Sequence, residues 1–192
     1  MISLHCTKKL LAKLPLSEDG RLRSRKPSLS VVRDPASNPL SSWHANLLLL
    51  QRRQCVLFVH DTTRFPVFVP TLKKADFAEL DWFFQDGLMN SLLKVGAEDH
   101  HMEAAEKLLA PLACDNDCNR SAQGTLNQMG QELGYMLEYD NASVTELAPY
   151  RTSAWLAERP CSIKGQGYVW PVREMLEILE KSNLQEKGNC DE

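Results

Sequence analysis

Nowhere does the chain carry an apolar run near the roughly 18 to 20 residues a helix needs to cross a bilayer, so no membrane span is expected. It begins Met1-Ile2-Ser3-Leu4-His5-Cys6, without the charged-then-apolar order of a secretory signal, which points to a cytoplasmic setting. Positive charge is not in excess: 22 Lys and Arg face 25 Asp and Glu, giving a net charge of -3 and a pI near 6.0. Proteins that hold phosphates by counterion release usually carry a clear surplus of Lys and Arg, so general nucleic-acid binding is not expected. Also missing are the G-x-x-x-x-G-K-[ST] phosphate loop, the G-x-G-x-x-G dinucleotide fingerprint and the G-x-S-x-G nucleophile elbow. No cofactor is therefore expected, and no nucleophile announces itself. There is no internal repeat.

Six cysteines (Cys6, Cys55, Cys114, Cys118, Cys161 and Cys190) make an even count that would suggest disulfides in a secreted chain. In a reducing compartment a cysteine such as Cys55, at the head of an apolar run, behaves as a small buried hydrophobe. The segment Cys114-Asp115-Asn116-Asp117-Cys118 follows His100 and His101 closely and offers thiolates and imidazoles to zinc. One C-x-x-x-C pair falls short of a paired C-x-x-C signature, and the loop lacks the glycine and terminal glutamate of a calcium-binding EF-hand. No metal is assigned.

What the chain does have is a run of three apolar segments: Trp43 to Leu50, Cys55 to His60 and Phe65 to Val69, parted by Gln51-Arg52-Arg53-Gln54 and Asp61-Thr62-Thr63-Arg64. β-branched and aromatic runs with four-residue polar breaks predict an antiparallel meander. Pro66 favours an edge position for the third strand, and residues 2–14 read as a short strand and a turn of helix. Spacings of three and four predict helices over Lys73 to Val95, Glu98 to Leu112, Ser121 to Tyr139, Ala148 to Glu158 and Pro171 to about Lys181. Gly124, Gly130 and Gly134 in the third of these imply close approach of another backbone, or a break near Gly124. The fold class is α+β: a small antiparallel sheet, the meander at about 43–69 plus the N-terminal strand, packed with four to five helices. The domain covers residues 1–182, with a mobile, basic loop over 17–41 (Arg21, Arg23, Arg25, Lys26, Arg33) and a flexible tail over 183–192.

If Gln51 to Gln54 forms the turn, Leu50 faces Cys55, His44 stands opposite Asp61 and Asn46 opposite Val59. Alternation then puts His44, Asn46, Val59 and Asp61 on one face, with Arg64 beside Asp61. A histidine oriented by a carboxylate is what a general base requires, so His44, Asp61 and Arg64 form a candidate catalytic row. The competing reading is structural: Asp61 accepts hydrogens in its own turn and pairs with Arg64, while His44 is an ordinary edge residue. Arg52 and Arg53 lie at the opposite end of that hairpin.

The strings Cys6-Thr7-Lys8-Lys9-Leu10, Trp43-His44-Ala45-Asn46-Leu47, Arg53-Gln54-Cys55-Val56-Leu57-Phe58-Val59, Leu72-Lys73-Lys74-Ala75-Asp76 and Asn119-Arg120-Ser121 with Gly124 and Asn127 resemble, in this order, a mostly bacterial family catalogued only as a domain of unknown function. The resemblance implies one integrated domain and no particular chemistry. It directs attention to polar members that packing does not require: Asn46, Arg53, Asp61, Arg120 and Asn127. Arg120 and Asn127 stand about two helical turns apart, either sharing a pocket for a small anionic or amide-bearing group or belonging to a buried network that fixes helix against sheet. The function expected is a cytosolic binding or interaction module with a protein or small anionic partner, from a bacterial accessory or mobile-element system. The alternative is a small hydrolase or ribonuclease-like enzyme with a His-Asp-Arg site.

Overall fold

The computed structural model describes residues 1–23, 38–163, 165 and 167–188. Strand β1 (Ile2–Cys6) leads through Thr7 into α1 (Lys8–Leu11), a single turn. The meander follows as β2 (Trp43–Leu50), β3 (Arg53–His60) and β4 (Pro66–Leu72). A 3₁₀ turn at Asp76–Glu79 introduces α2 (Leu80–Lys94), after which come α3 (Asp99–Leu108), β5 (Leu112–Asp115), α4 (Arg120–Tyr139) and α5 (Pro149–Ala157). The hairpin of β6 (Cys161–Ile163) and β7 (Gly167–Val169) leads into α6 (Pro171–Gly188).

The fold is α+β, and its five-stranded sheet runs β4-β3-β2-β1-β5. The meander is antiparallel, whereas β1 lies parallel to both β2 and β5, so the sheet is mixed rather than wholly antiparallel. Successive side chains of β3 point to opposite faces. Val56 and Phe58 join Trp43, Phe84, Leu88 and Leu92 in the larger core, while Cys55, Leu57 and Val59 join Leu126, Met129, Leu133 and Leu156 in a second one. A strand buried on both sides needs a layer of helices on each. That is why its sequence reads as a continuous apolar run.

Edge strand β4 carries Pro66 and Pro70, residues that donate nothing to a ladder. The Phe68 N–H is satisfied instead by the hydroxyl of Ser153 on α5 at 2.9 Å, and that hydroxyl donates to the Pro149 carbonyl at 3.0 Å. The α5 helix thereby covers an edge that would otherwise offer itself to another strand.

Several boundaries differ from the sequence-based reading. Leu112 to Asp115, expected as the last residue of a helix and the loop beyond it, is a strand, held at its start by the buried Asp81 carboxylate accepting the Leu112 N–H at 2.8 Å. The first long helix begins at Leu80 instead of Lys73, because Asp76 accepts the Lys73 N–H at 2.7 Å and closes a separate turn. The last helix reaches Gly188, so residues 183–188 of the expected tail are helical. In the expected mobile loop, Arg21 and Leu22 bridge Ala113 and Leu16; its residues 24–37, like the tail residues 189–192, lie outside the described residues. Helix α4 is unbroken. Of its three glycines, Gly130 meets a close neighbour, where a Cβ would lie 3.1 Å from Leu48 Cδ2; Gly124 and Gly134 face open space.

The β2–β3 register also differs: Leu50 pairs with Arg53, so His44 stands opposite Val59 and Asn46 opposite Leu57. The turn is two residues, Gln51 and Arg52, both left-handed (φ 46° and 63°). Such turns match strand twist best and close the hairpin one pair earlier than a four-residue loop. The slip is two residues, so every side chain keeps its expected face. Gln51 has a reason to be there, since its amide donates to the Ala142 carbonyl at 2.8 Å and accepts the Val144 N–H at 2.9 Å. Arg52 has none comparable. Arg52→Gly should therefore raise the free energy of unfolding by about 0.5 kcal/mol in urea titrations, because a residue with a Cβ is strained at positive φ. An equal or lower midpoint would contradict the strained-turn assignment.

Candidate functional site

The polar residues gather where β1 and β5 end, β2 begins and the β3–β4 turn closes. Leu4 pairs with Trp43, which brings His5 beside His44; on the other side His5 stands beside Asp115. Residues 3 and 5 of β1 face away from the larger core, as do 44 and 46 of β2, so the polar groups share the α4 side of the sheet. His5 Nδ1 and Asp115 Oδ1 are 2.7 Å apart, and the His5 and His44 rings lie 4.9 Å centroid to centroid.

Asp61 reaches His44 through the turn, not through strand pairing. The turn folds back tightly, with His60 N–H on the Phe65 carbonyl, Arg64 N–H on the His60 carbonyl and Asp61 N–H on the Ser42 carbonyl, all at 2.9 Å. Arg64 takes a left-handed φ of 61° there. Its Nη1 donates to Asp61 Oδ1 at 3.2 Å and its Nη2 to Ser121 Oγ at 3.0 Å, while the buried Nε has no hydrogen-bond partner among the described residues. His44 Nδ1 lies 3.6 Å from the same Asp61 oxygen, beyond a good hydrogen bond.

The decisive atom is His44 Nε2, which accepts the backbone N–H of Asn119 at 2.8 Å. A nitrogen that accepts holds no proton, so the neutral ring carries its proton on Nδ1, facing Asp61. A general base needs a lone pair free to meet substrate. Here that lone pair is occupied, and the residue is 1% exposed. Burial pushes the ring toward neutrality, opposed by Asp61 and reinforced by the charges of His5 and Arg64. His44 thus ties the loop before α4 to the sheet, and Asn119 in turn caps that helix by accepting the Ser121 N–H at 2.7 Å.

The remaining sequence candidates scatter. Arg53 is exposed at the hairpin turn, at the other end of β2 and β3, and Arg120 is exposed on the first turn of α4. Asn46 and Asn127 do meet, lining a cleft of about 260 Å³ with Thr7, Lys8, Lys9, Gln123 and Leu126. Thr7, Lys8, Lys9 and Gln123 were not singled out for a site by the sequence reading, and neither were His5, Asp115 and Ser121. Finding them required the parallel pairing of β1 with β2 and β5 and the placement of α4 against the sheet, neither of which leaves a local sequence signature.

The histidines near the cysteine segment turn elsewhere. His100 and His101 converge on Glu180 of α6, with Nε2 atoms 3.4 and 3.5 Å from one carboxylate oxygen. His101 Nδ1 accepts the Glu98 N–H at 3.2 Å, so in the neutral ring the proton sits on Nε2, 3.5 Å from Glu180, and His100 Nε2 is hydrogen-bonded to that same carboxylate oxygen. That makes the trio a hydrogen-bonded link between α3 and α6. The hydrogen bond with Cys114 and, after it, burial push the Cys6 thiol far up, leaving it protonated and inert.

The family described as Domain of unknown function (DUF6933) matches residues 3–174. The chain belongs to that family. Among curated proteins and among solved structures, nothing matches it. The DUF6933 region thus spans β1 through the first turn of α6.

Beside this site sits His60, whose Nε2 donates to the Ser41 carbonyl at 3.0 Å and whose Nδ1 lies 3.0 Å from Thr63 Oγ1. Its burial pushes its pKa down to about 4 from 6.5. The unfolded chain therefore takes up this proton first, and stability falls as the pH drops from about 6.5 toward 4. Between pH 7 and pH 5 this ring should cost about 2 kcal/mol of unfolding free energy. In urea titrations, His60→Gln should lower stability at pH 7 yet lose about 2 kcal/mol less than the parent on going to pH 5; parallel losses would refute the assignment.

Proposed function

We propose that this domain is a non-catalytic cytosolic binding module that takes a small anionic ligand in the cleft between α1, β2 and α4. The observation that carries this reading is the chemistry of the cleft. Three segments far apart in sequence contribute Thr7, Lys8 and Lys9, then Asn46, then Gln123 and Asn127, with Leu126 on the floor, and no carboxylate is among these residues.

The donors suit an anion. Lys8 and Lys9 are exposed on α1. Thr7 Oγ1 donates to Asn46 Oδ1 at 3.0 Å, which engages the acceptor end of that amide and leaves its NH₂ hydrogens as the groups on offer. Ammonium and amide donors are what phosphate and carboxylate oxygens bind, with the charged partners making the stronger hydrogen bonds. A cleft of about 260 Å³ sits just under the usual range of roughly 300 to 1,000 Å³ for small-molecule pockets, which favours a compact ligand. The occupied lone pair of His44 argues against base catalysis by the neighbouring His44, Asp61 and Arg64 row.

Titration of the ¹⁵N-labelled protein with inorganic phosphate, and separately with succinate, tests this. The Asn46 and Asn127 side-chain amides and the Lys8 and Lys9 backbone signals should shift saturably, and Lys8→Ala combined with Lys9→Ala should weaken binding about tenfold. Absence of saturable shifts with both anions, or shifts that the double variant retains, would overturn the reading.

A further inference from the structure

The other end of α4 has the opposite chemistry. Between the last two turns of α4 and α5 runs an open groove of about 570 Å³, lined by Glu132, Tyr135, Tyr139, Asp140, Trp155 and Arg159. It begins at Glu132, about 7.5 Å along the helix from Asn127 at 1.5 Å per residue. Tyr135 and Tyr139, one turn apart on the same face, are 68% and 92% exposed. Large aromatic groups this exposed, side by side, are unusual unless something covers them.

Three features say what that something is. The ring faces of tyrosine and tryptophan attract cations. Glu132 and Asp140 supply two carboxylates against one guanidinium, and among the described residues no ion pair engages Asp140. The α4 helix is 20 residues long and has no basic residue in its last turn, so the negative end of its dipole is left without a cation from its own turn. The groove also displays its preferred guest. Arg159 lies over the Trp155 ring, 4.3 Å from its centroid, while its Nη1 pairs with Glu132 Oε2 at 3.1 Å.

We propose that this groove docks an arginine-bearing peptide segment of a partner protein, whose guanidinium stacks on Tyr135 and Tyr139 and pairs with Asp140. The residue types that hold Arg159, an aromatic ring and a carboxylate, recur in the rest of the groove as Tyr135, Tyr139 and Asp140. A guanidinium fits better than a methylated ammonium because it stacks flat and still donates to a carboxylate. The groove is open along its length and not a closed box, which suits a side chain presented on an extended peptide. The site is separate from the anion cleft, and neither depends on the other.

The test uses a fluorescein-labelled acetyl-Gly-Arg-Gly-Arg-Gly amide, its citrulline counterpart, which keeps the shape and loses the charge, and its lysine counterpart, each read by anisotropy at low salt. The arginine peptide should bind, with the citrulline and lysine peptides weaker by about tenfold and severalfold respectively. Tyr135→Ala combined with Tyr139→Ala should weaken the arginine peptide about tenfold, the Tyr→Phe pair should preserve binding, and Asp140→Asn should lose severalfold. Both tyrosines are exposed, so the fold should survive, as circular dichroism would verify. Binding that persists in the double alanine variant, or a citrulline peptide that binds equally well, overturns the proposal; equal binding of the lysine peptide overturns the guanidinium assignment.

Discussion

The constraint on which this fold depends is that β3 is buried on both faces. From Cys55 to His60 every residue is buried, and the two sides belong to different cores. Neither helical layer is optional, since removing one would expose half of a strand made of Val, Leu and Phe at about 25 cal/mol for each Å² returned to water. With both faces sealed, polar groups that belong to the sheet enter at its ends, and each must find a partner there or give up its charge. His60 gives up its charge and hydrogen-bonds as a neutral ring. Arg64 keeps its charge and is held by Asp61 and Ser121.

The same constraint explains which parts of the fold were legible in the sequence. The meander and the helices α2, α4 and α5 announce themselves, because an apolar run bounded by polar turns and a stripe at spacings of three and four are local signals. Strand β5 is four residues long and follows Pro111, with an alternation too short to register. The parallel alignment of β1 between β2 and β5 was equally hidden, since parallel neighbours are joined by long crossovers and their register is set by tertiary packing. The hairpin register missed by two because Gln51 and Arg52 adopt left-handed conformations that their residue types do not advertise. An error of one would have turned every side chain over. An error of two left His44 and Asn46 on the expected face, while Asp61 falls beyond the end of β3.

His44, Asp61 and Arg64 do come near one another, though not by the strand pairing from which the sequence reading placed them. Their proximity follows from local chain geometry: a strand end and a four-residue turn. The use of His44 follows from Asn119, 75 residues away, whose N–H occupies the nitrogen that a catalytic role would need. No composition or spacing within the meander encodes that contact. The amide pair Asn46 and Asn127 shows the converse. Both were singled out as polar residues that packing does not require, and both line one cleft, but the lysines that give that cleft its sign come from α1, placed beside β2 by the parallel pairing of β1.

Helix α4 joins these observations, because one rigid element carries two surfaces of opposite preference. Near its start, Gln123 and Asn127 line one cleft with Lys8 and Lys9; at its end, Tyr135, Tyr139 and Asp140 are exposed and line a groove with Glu132. The helix dipole has the matching sense, positive at the start and negative at the end, yet it contributes only about 0.3–1 kcal/mol at exposed sites and fades within a turn. Side chains therefore decide each preference, and the dipole reinforces it. Because Asn119 caps α4 and also donates its N–H to His44, the orientation of this helix on the sheet is set at the polar end, through a ring whose acceptor nitrogen is available only while it is neutral. Protonating His44 would replace an acceptor with a donor opposite the Asn119 N–H and loosen the anchor from which both surfaces are positioned.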